Sequence, residues 1–195
     1  MITLCLDTSH TYLVVALIKD DTLLDSYCEP CPKQQSEKVF PVMIELLEKN
    51  GLGPDSIDQV MITKGPGSYT GVRIAMSIAK VLCAIKKLPL YTIGTLRLYA
   101  GNQSCRVILD ARGKRVYTAV YENGKEVETP NVKPLEEIQD DHFIVGDGSL
   151  LGKENVYGDI AQNFLETKDE WELVENVHLL VPEYLKDKDA YLTGK

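Results

Sequence analysis

The sequence predicts an α/β fold in two lobes. A complete first lobe covers residues 1–100 and a smaller, acidic second lobe covers 101–195. Three observations carry this expectation. Short apolar runs separated by turn residues open the chain, before any helical pattern. Two long helical patterns then alternate with short buried-strand runs. From about Gly101 the composition shifts toward charge and the periodicity weakens.

The elements follow in order. "ITLCLD" (2–7) and "TYLVVALI" (11–18) read as strands joined at "DTSH", and "TLLDSY" (22–27) follows the turn at Lys19-Asp20-Asp21. Residues 36–50 read as a helix with Ser36 as its N-cap, stopped by Gly51 and Gly53-Pro54. "QVMIT" (59–63) reads as a buried strand, 68–87 as a long helix and "LYTIG" (90–94) as a further strand. The result is βββαβαβ. Strands alternating with helices imply parallel pairing through right-handed crossovers. Three antiparallel strands leading into βαβαβ form the pattern of an actin-like (ribonuclease-H-like) lobe. In the second half, "CRVILDA" (105–111) and "KRVYTAVYE" (114–122) form a hairpin turning at Arg112-Gly113. "FIVGDG" (143–148) adds a strand and 159–166 a short helix.

Composition narrows the function classes. No apolar run reaches the ~18 residues of a membrane span. "MITLCLDTS" enters a strand pattern at once, with no signal-peptide pattern, so a cytoplasmic location is expected. The five cysteines read as reduced thiols. Net charge is −8, unevenly spread. Residues 1–121 carry 14 Lys and Arg against 11 Asp and Glu, whereas 122–195 carry 7 against 18. Such a chain is not expected to grip nucleic acid alone, since phosphate affinity is largely a Lys and Arg effect.

The stretch "KGPGSYTGVR" (64–73) stands where a strand turns into a helix. Free N–H groups at a helix start bind anions, so Gly65, Gly67 and Ser68 could cradle a phosphate. No Lys-Ser/Thr pair follows the glycines, however, so this is no P-loop. The other reading is a tight join in which Ser68 caps and the glycines allow close backbone approach. That close-packing reading is preferred, leaving at most a vestigial nucleotide role. Asp7, Thr8 and Ser9 at the first turn, and Asp110 at the first strand end of the second lobe, complete the vestigial set.

The helices on either side carry the stronger signal. Gly71, Ala75, Ala79 and Cys83 recur every fourth residue, a small-side-chain ridge that would let another helix come close. Val72, Met76 and Ile78 make the same helix apolar nearly all round, which implies burial on several sides. In the preceding helix, Val39, Met43 and Leu47 form one stripe and Phe40 widens it. Two over-apolar helices together suggest a patch that awaits a partner. On this reading Ala75→Glu or Ile78→Asp abolishes association.

Independent chemistry finds little support. His10, His142 and His178 are isolated and carry no ligand spacing. Cys28 and Cys31 form a single C-x-x-C without a second pair, so neither a metal nor a catalytic residue is assigned. Arg106, Arg112, Lys114 and Arg115 make the densest basic cluster, readable as a tRNA or acidic-partner contact or as a solvated hairpin tip.

"CLDTS", "KGPGSYTGVRIA", "DARGKRVYTAVY" and "PEYLK" occur in the order and spacing of a known family. In these motifs the chain resembles the TsaB (YeaZ) family. The resemblance implies an actin-like fold without catalysis of its own, acting as scaffold and activator for a TsaD-type catalytic homologue. Together with a TsaE-type ATPase, these proteins place threonylcarbamoyl on N6 of adenosine 37 of ANN-reading tRNAs. It also implies pairing through the first two helices, homodimerisation when alone, tRNA contact only through the complex, and ATP or ADP at the partner interface rather than a tightly bound cofactor. Gln35-Ser36 stands where many relatives have His-Ser, and the His-x-x-x-His metal pair of the catalytic homologues is absent. The C-terminal part is also short by a helix before "PEYLK". The competing readings are a self-sufficient actin-fold ATPase or kinase, and a metallopeptidase.

Overall fold

The computed structural model describes residues 1–139 and 142–185. Lys186 of the "PEYLK" motif and the residues after it lie outside that range.

The first sheet begins as the expected meander. β1 (Ile2–Asp7), β2 (Tyr12–Lys19) and β3 (Thr22–Pro30) pair antiparallel in sequence order. α1 (Gln35–Lys49) then crosses to β4 (Gln59–Thr63), and α2 (Tyr69–Lys86) crosses to β5 (Leu90–Ile93). β4 pairs parallel to both β1 and β5. β1, β2 and β4 are nearly continuous apolar runs because both faces of the sheet are covered. On one face Leu4, Leu6, Val15, Val60 and Ile62 pack against α1 and α2.

On the other face lies the second lobe. α3 (Thr95–Ala100) leads into β6 (Cys105–Arg112), β7 (Arg115–Glu122) and β8 (Lys125–Pro134), joined as antiparallel neighbours. β9 (Ile144–Gly146) adds in parallel to β6. Cys5, Val14 and Met61 of the first sheet share one core with Tyr99, Val107, Tyr117 and Phe164. The lobes are therefore welded through a common apolar layer. α4 (Ile160–Glu166), capped by the Asp159 side chain accepting from the Gln162 N–H at 2.9 Å, closes that layer.

Several elements depart from expectation. α1 starts at Gln35, so Ser36 lies inside it and caps nothing. β8 carries Pro130 and Asn131 and is interrupted by register shifts. Proline is tolerated there because the strand is at the sheet edge. α3 is too short to show a helical period. The tail does not stay in the second lobe: β10 (Glu172–Leu173) pairs antiparallel to β5 and extends the first sheet.

Candidate functional site

The glycine-rich turn sits between the end of β4 and the start of α2. Its peptide Gly65-Pro66 is cis and Gly65 has φ +109°. The Ser68 hydroxyl accepts from the Gly71 N–H at 3.2 Å, as an N-cap should. The turn is pressed directly onto the β1–β2 turn. A Cβ on Gly67 would lie 2.3 Å from the Ser9 carbonyl oxygen, and one on Gly71 would lie 2.2 Å from that of Thr8. The Ser68 N–H donates to the Ser9 carbonyl at 2.7 Å, and the Thr8 hydroxyl donates to the Gly71 carbonyl at 2.6 Å. The Ala75 N–H in turn reaches Thr8 Oγ1 at 3.1 Å. A methyl group has no room between these backbones, and a phosphate is larger. The turn also meets the chain's own tail: the Glu183 N–H donates to the Lys64 carbonyl at 2.7 Å, and the Glu183 carbonyl would lie 2.6 Å from a Cβ on Gly65.

The vestigial set comes together only in part. Asp7, Thr8 and Ser9 are fully buried beneath the turn. Asp7 takes hydrogen bonds from the Thr63 hydroxyl (2.5 Å), the Ser9 N–H (3.0 Å) and the Tyr99 hydroxyl (3.1 Å). Its carboxylate is thus committed to holding the turn. The Asp110 carboxylate does not join them. It is exposed and accepts from the N–H of Arg112 in its own hairpin.

The acid facing the first lobe is Asp147, just past β9, which sequence reasoning missed. Its Oδ1 lies 3.1 Å from His10 Nε2 and accepts from the Tyr157 hydroxyl; its Oδ2 accepts from the Asp110 N–H at 2.6 Å. Burial pushes the Asp147 pKa up, but the contacts with His10, Tyr157 and Asp110 together bring it below the usual carboxylate value. His10 is therefore not isolated, although 136 residues separate it from its partner in sequence. The available signal was an Asp at the C-terminal end of a buried parallel strand, where α/β folds place polar groups. Gln35 donates to the His10 carbonyl at 2.7 Å and the Tyr12 carbonyl at 2.6 Å. It ties the start of α1 to the same joint.

Most residues expected at a partner interface serve the chain's own core. Val39, Met43 and Leu47 of α1 are buried, as are Gly71, Val72, Ala75, Met76, Ala79 and Cys83 of α2. The small ridge does permit close approach, but to Thr8 and the sheet rather than to another helix. Ala75→Glu would consequently disrupt the lobe itself. Phe40 is the exception at 53% exposure, and Ile78 is half-buried. The free apolar surface lies a quarter-turn away. Ile44, Val81 and Ile85 are 50%, 60% and 76% exposed. Ile74, Ile78, Val81 and Ile85 recur at four-, three- and four-residue steps, one continuous stripe along α2. Phe40 and Ile44, one turn apart, are exposed in the same way on α1, which packs against α2.

The other flank of α2 is taken by the tail. Lys80 Nζ donates to the His178 and Leu180 carbonyls, both at 3.0 Å. Arg73 stacks over the Tyr69 ring at 3.9 Å and donates to the Tyr184 hydroxyl at 2.8 Å. Among the described residues, the tail therefore leaves the side of α2 that carries Val81 and Ile85 exposed.

The remaining candidates carry no assembled chemistry. Among the described residues, no group of three His, Cys, Asp or Glu comes together as metal ligands. Cys28 and Cys31 are free thiols, and burial, helped by the charges of Asp159, Asp7 and Glu29, pushes Cys28 up to about 11. No helix among them is long and apolar enough to cross a membrane.

Comparison with known proteins fits this geometry. A family model described as "TsaD: tRNA N6-adenosine threonylcarbamoyltransferase" matches residues 29–135. A Bacillus subtilis protein, "tRNA threonylcarbamoyladenosine biosynthesis protein TsaB", is 31% identical, covering 97% of this chain and 96% of its own length. The Escherichia coli protein of the same name is 34% identical over 62% of this chain and 56% of its own length. A Pseudomonas aeruginosa crystal structure, described as an uncharacterized protein similar to peptidase YEAZ, superposes with a TM-score of 0.77. It has 23% identity and covers 95% of this chain and 99% of that one. A second, "YeaZ from Pseudomonas aeruginosa", gives 0.71 at 24% identity, with 94% and 99% covered. The fold is the expected actin-like, ribonuclease-H-like α/β fold.

Proposed function

Since this chain belongs to the TsaB (YeaZ) family, with a role in tRNA threonylcarbamoyladenosine biosynthesis, we propose that it acts there as a non-catalytic subunit that docks a TsaD-type catalytic homologue. One observation carries the reading: Phe40 and Ile44 of α1 and Val81 and Ile85 of α2 are large apolar side chains left exposed among the described residues. Burial of such a stripe against an equivalent pair of helices would build a four-helix contact. A standard interface removes about 1,600 Å² from water, within reach of two helices a side. The same stripe is self-complementary, so the isolated chain forms a homodimer through it.

A closed glycine turn supports the non-catalytic part. Phosphoryl transfer needs donors free to meet the phosphates. Here Asp7 and the turn's backbone are bonded to one another instead. ATP or ADP accordingly belongs to the joint with the partner, and the TsaE-type ATPase and tRNA join through the assembled, cytoplasmic complex.

The test is association. Val81→Asp and Ile85→Asp place a charge in the stripe at side chains that are 60% and 76% exposed. Both should stay folded by circular dichroism, and neither should co-elute with the catalytic homologue or sediment as a dimer. Folded variants that still associate fully would remove the interface from these helices. ATP turnover by the lone chain would favour the kinase reading.

A further inference from the structure

The tip of the β6–β7 hairpin is the feature that the docking stripe leaves unexplained. Arg112, Gly113 and Lys114 take φ values of +61°, +63° and +56° in succession. Non-glycine residues adopt this region rarely, and here two cationic residues do so on either side of Gly113. The chain braces them. The Arg112 N–H donates to Asp110 Oδ1 at 2.7 Å, and the Lys114 carbonyl accepts from the Leu135 N–H at 2.9 Å. Arg115 follows at once, opposite Pro134 of β8.

The cations at this tip are unspent. Arg112, Lys114 and Arg115 form no ion pair among the described residues, whereas Lys49, Lys64, Lys86, Arg97 and Lys168 all do. Arg106, grouped with them in the sequence, drops out: it is buried and paired with Glu128 at 3.0 Å, and Lys133 shares that carboxylate. Two acids lie close to the tip among the described residues. Asp110 accepts the Arg112 backbone N–H, and Glu136 sits on the rim of an adjoining hollow of about 450 Å³. Gly113, Lys114, Arg115, Pro134 and Leu135 form the rest of that hollow. Its volume is in the range of small-ligand sites.

We propose that this tip grips the phosphodiester backbone of an RNA, seating one nucleotide in the hollow between Lys114 and Leu135. The inference rests on the family's place in tRNA modification. The chemistry favours RNA over an acidic protein. No strongly exposed large apolar residue lies at the tip, whereas protein interfaces have an apolar core. Contacts to nucleic acid are polar and dominated by phosphate. The acidic second half, with 18 Asp and Glu against 7 Lys and Arg in residues 122–195, repels RNA and so disfavours contacts there away from the tip. Affinity from three such contacts is modest, which explains why the chain would need its partner to hold RNA.

The experiment titrates fluorescent tRNA against the complex of this chain with its catalytic homologue over a range of salt. Wild type is compared with R112E/K114E/R115E and with K19E/K125E, which reverses exposed cations elsewhere. The triple variant should still co-elute with the partner. Its tRNA affinity should fall about tenfold or more at low salt, and its log K against log salt slope should flatten by about 2 to 3. The control should match wild type. An unchanged slope overturns the proposal. Loss of partner pairing in the triple variant overturns it too, and identifies the tip as a protein contact. If wild type itself fails to pair, the docking reading falls separately. Ultraviolet crosslinking of tRNA to the full chain alone then reads the tip directly, and crosslinks that avoid residues 112–115 overturn the RNA assignment.

Discussion

Gly71→Ala separates a packing turn from a phosphate cradle. Gly71 lies in the first turn of α2. Helix propensity alone predicts a gain of up to ~1 kcal/mol from alanine. The structure predicts the opposite sign. The new Cβ would stand 2.2 Å from the Thr8 carbonyl oxygen, which is rigid backbone. Relief requires α2 to retreat by about an ångström from the β1–β2 turn. Overpacking of that kind costs ~1–3 kcal/mol. Retreat also stretches three hydrogen bonds: Ser68 N–H to the Ser9 carbonyl, Thr8 hydroxyl to the Gly71 carbonyl, and Ala75 N–H to Thr8 Oγ1. Each contributes ~1 kcal/mol net. With partial relaxation and the propensity gain subtracted, a loss of ~2–4 kcal/mol remains. Urea unfolding followed by circular dichroism reads it directly. With an m-value of ~2 kcal/mol/M, the midpoint should drop by ~1–2 M. Gly53→Ala, where a Cβ meets nothing within 4 Å, serves as control and should stay close to wild type. A midpoint that holds or rises in Gly71→Ala refutes the packing argument. Unchanged stability together with lost ATP binding would revive the cradle.

Two further outcomes are expected. The Asp147 pKa is lowered in the folded state, so its contribution to stability is full above the unfolded carboxylate value near 4 and is lost as pH falls through the folded value. Asp147→Asn should therefore cost ~1–3 kcal/mol at pH 7, flatten the acid limb of stability against pH, and show both in unfolding midpoints measured from pH 7 to 3. Cys28, pushed up to about 11, stays a thiol at neutral pH. Iodoacetamide should label it far more slowly than a free cysteine peptide at pH 7, as read by mass spectrometry; fast labelling would contradict the buried setting.

The legible part of this fold was local. The three-strand meander, the two helices and the hairpin from 105 to 122 were each marked by their own period and turns. β8 was not, because its Pro130 and Asn131 read as loop and only an edge position tolerates them. α3 offered six residues, too few for a helical period. At the glycine turn the spacing posed the right question but could not choose between anion and backbone as the thing approached.

By itself, the sequence determined the strongly periodic strands and helices, that α1 and α2 carry surplus apolar residues, and where the backbone must bend without a side chain. Those are properties of neighbouring residues, and neighbours are what a sequence displays. Tertiary structure alone decided which side of each helix meets the sheet, a matter of rotation about the helix axis. That rotation turned Ala75 and Cys83 inward and left Val81 and Ile85 outside. It alone brought His10 to Asp147, and returned Glu172–Leu173 to the first sheet. Contacts between distant segments depend on how the whole chain excludes water, and no single stretch encodes them.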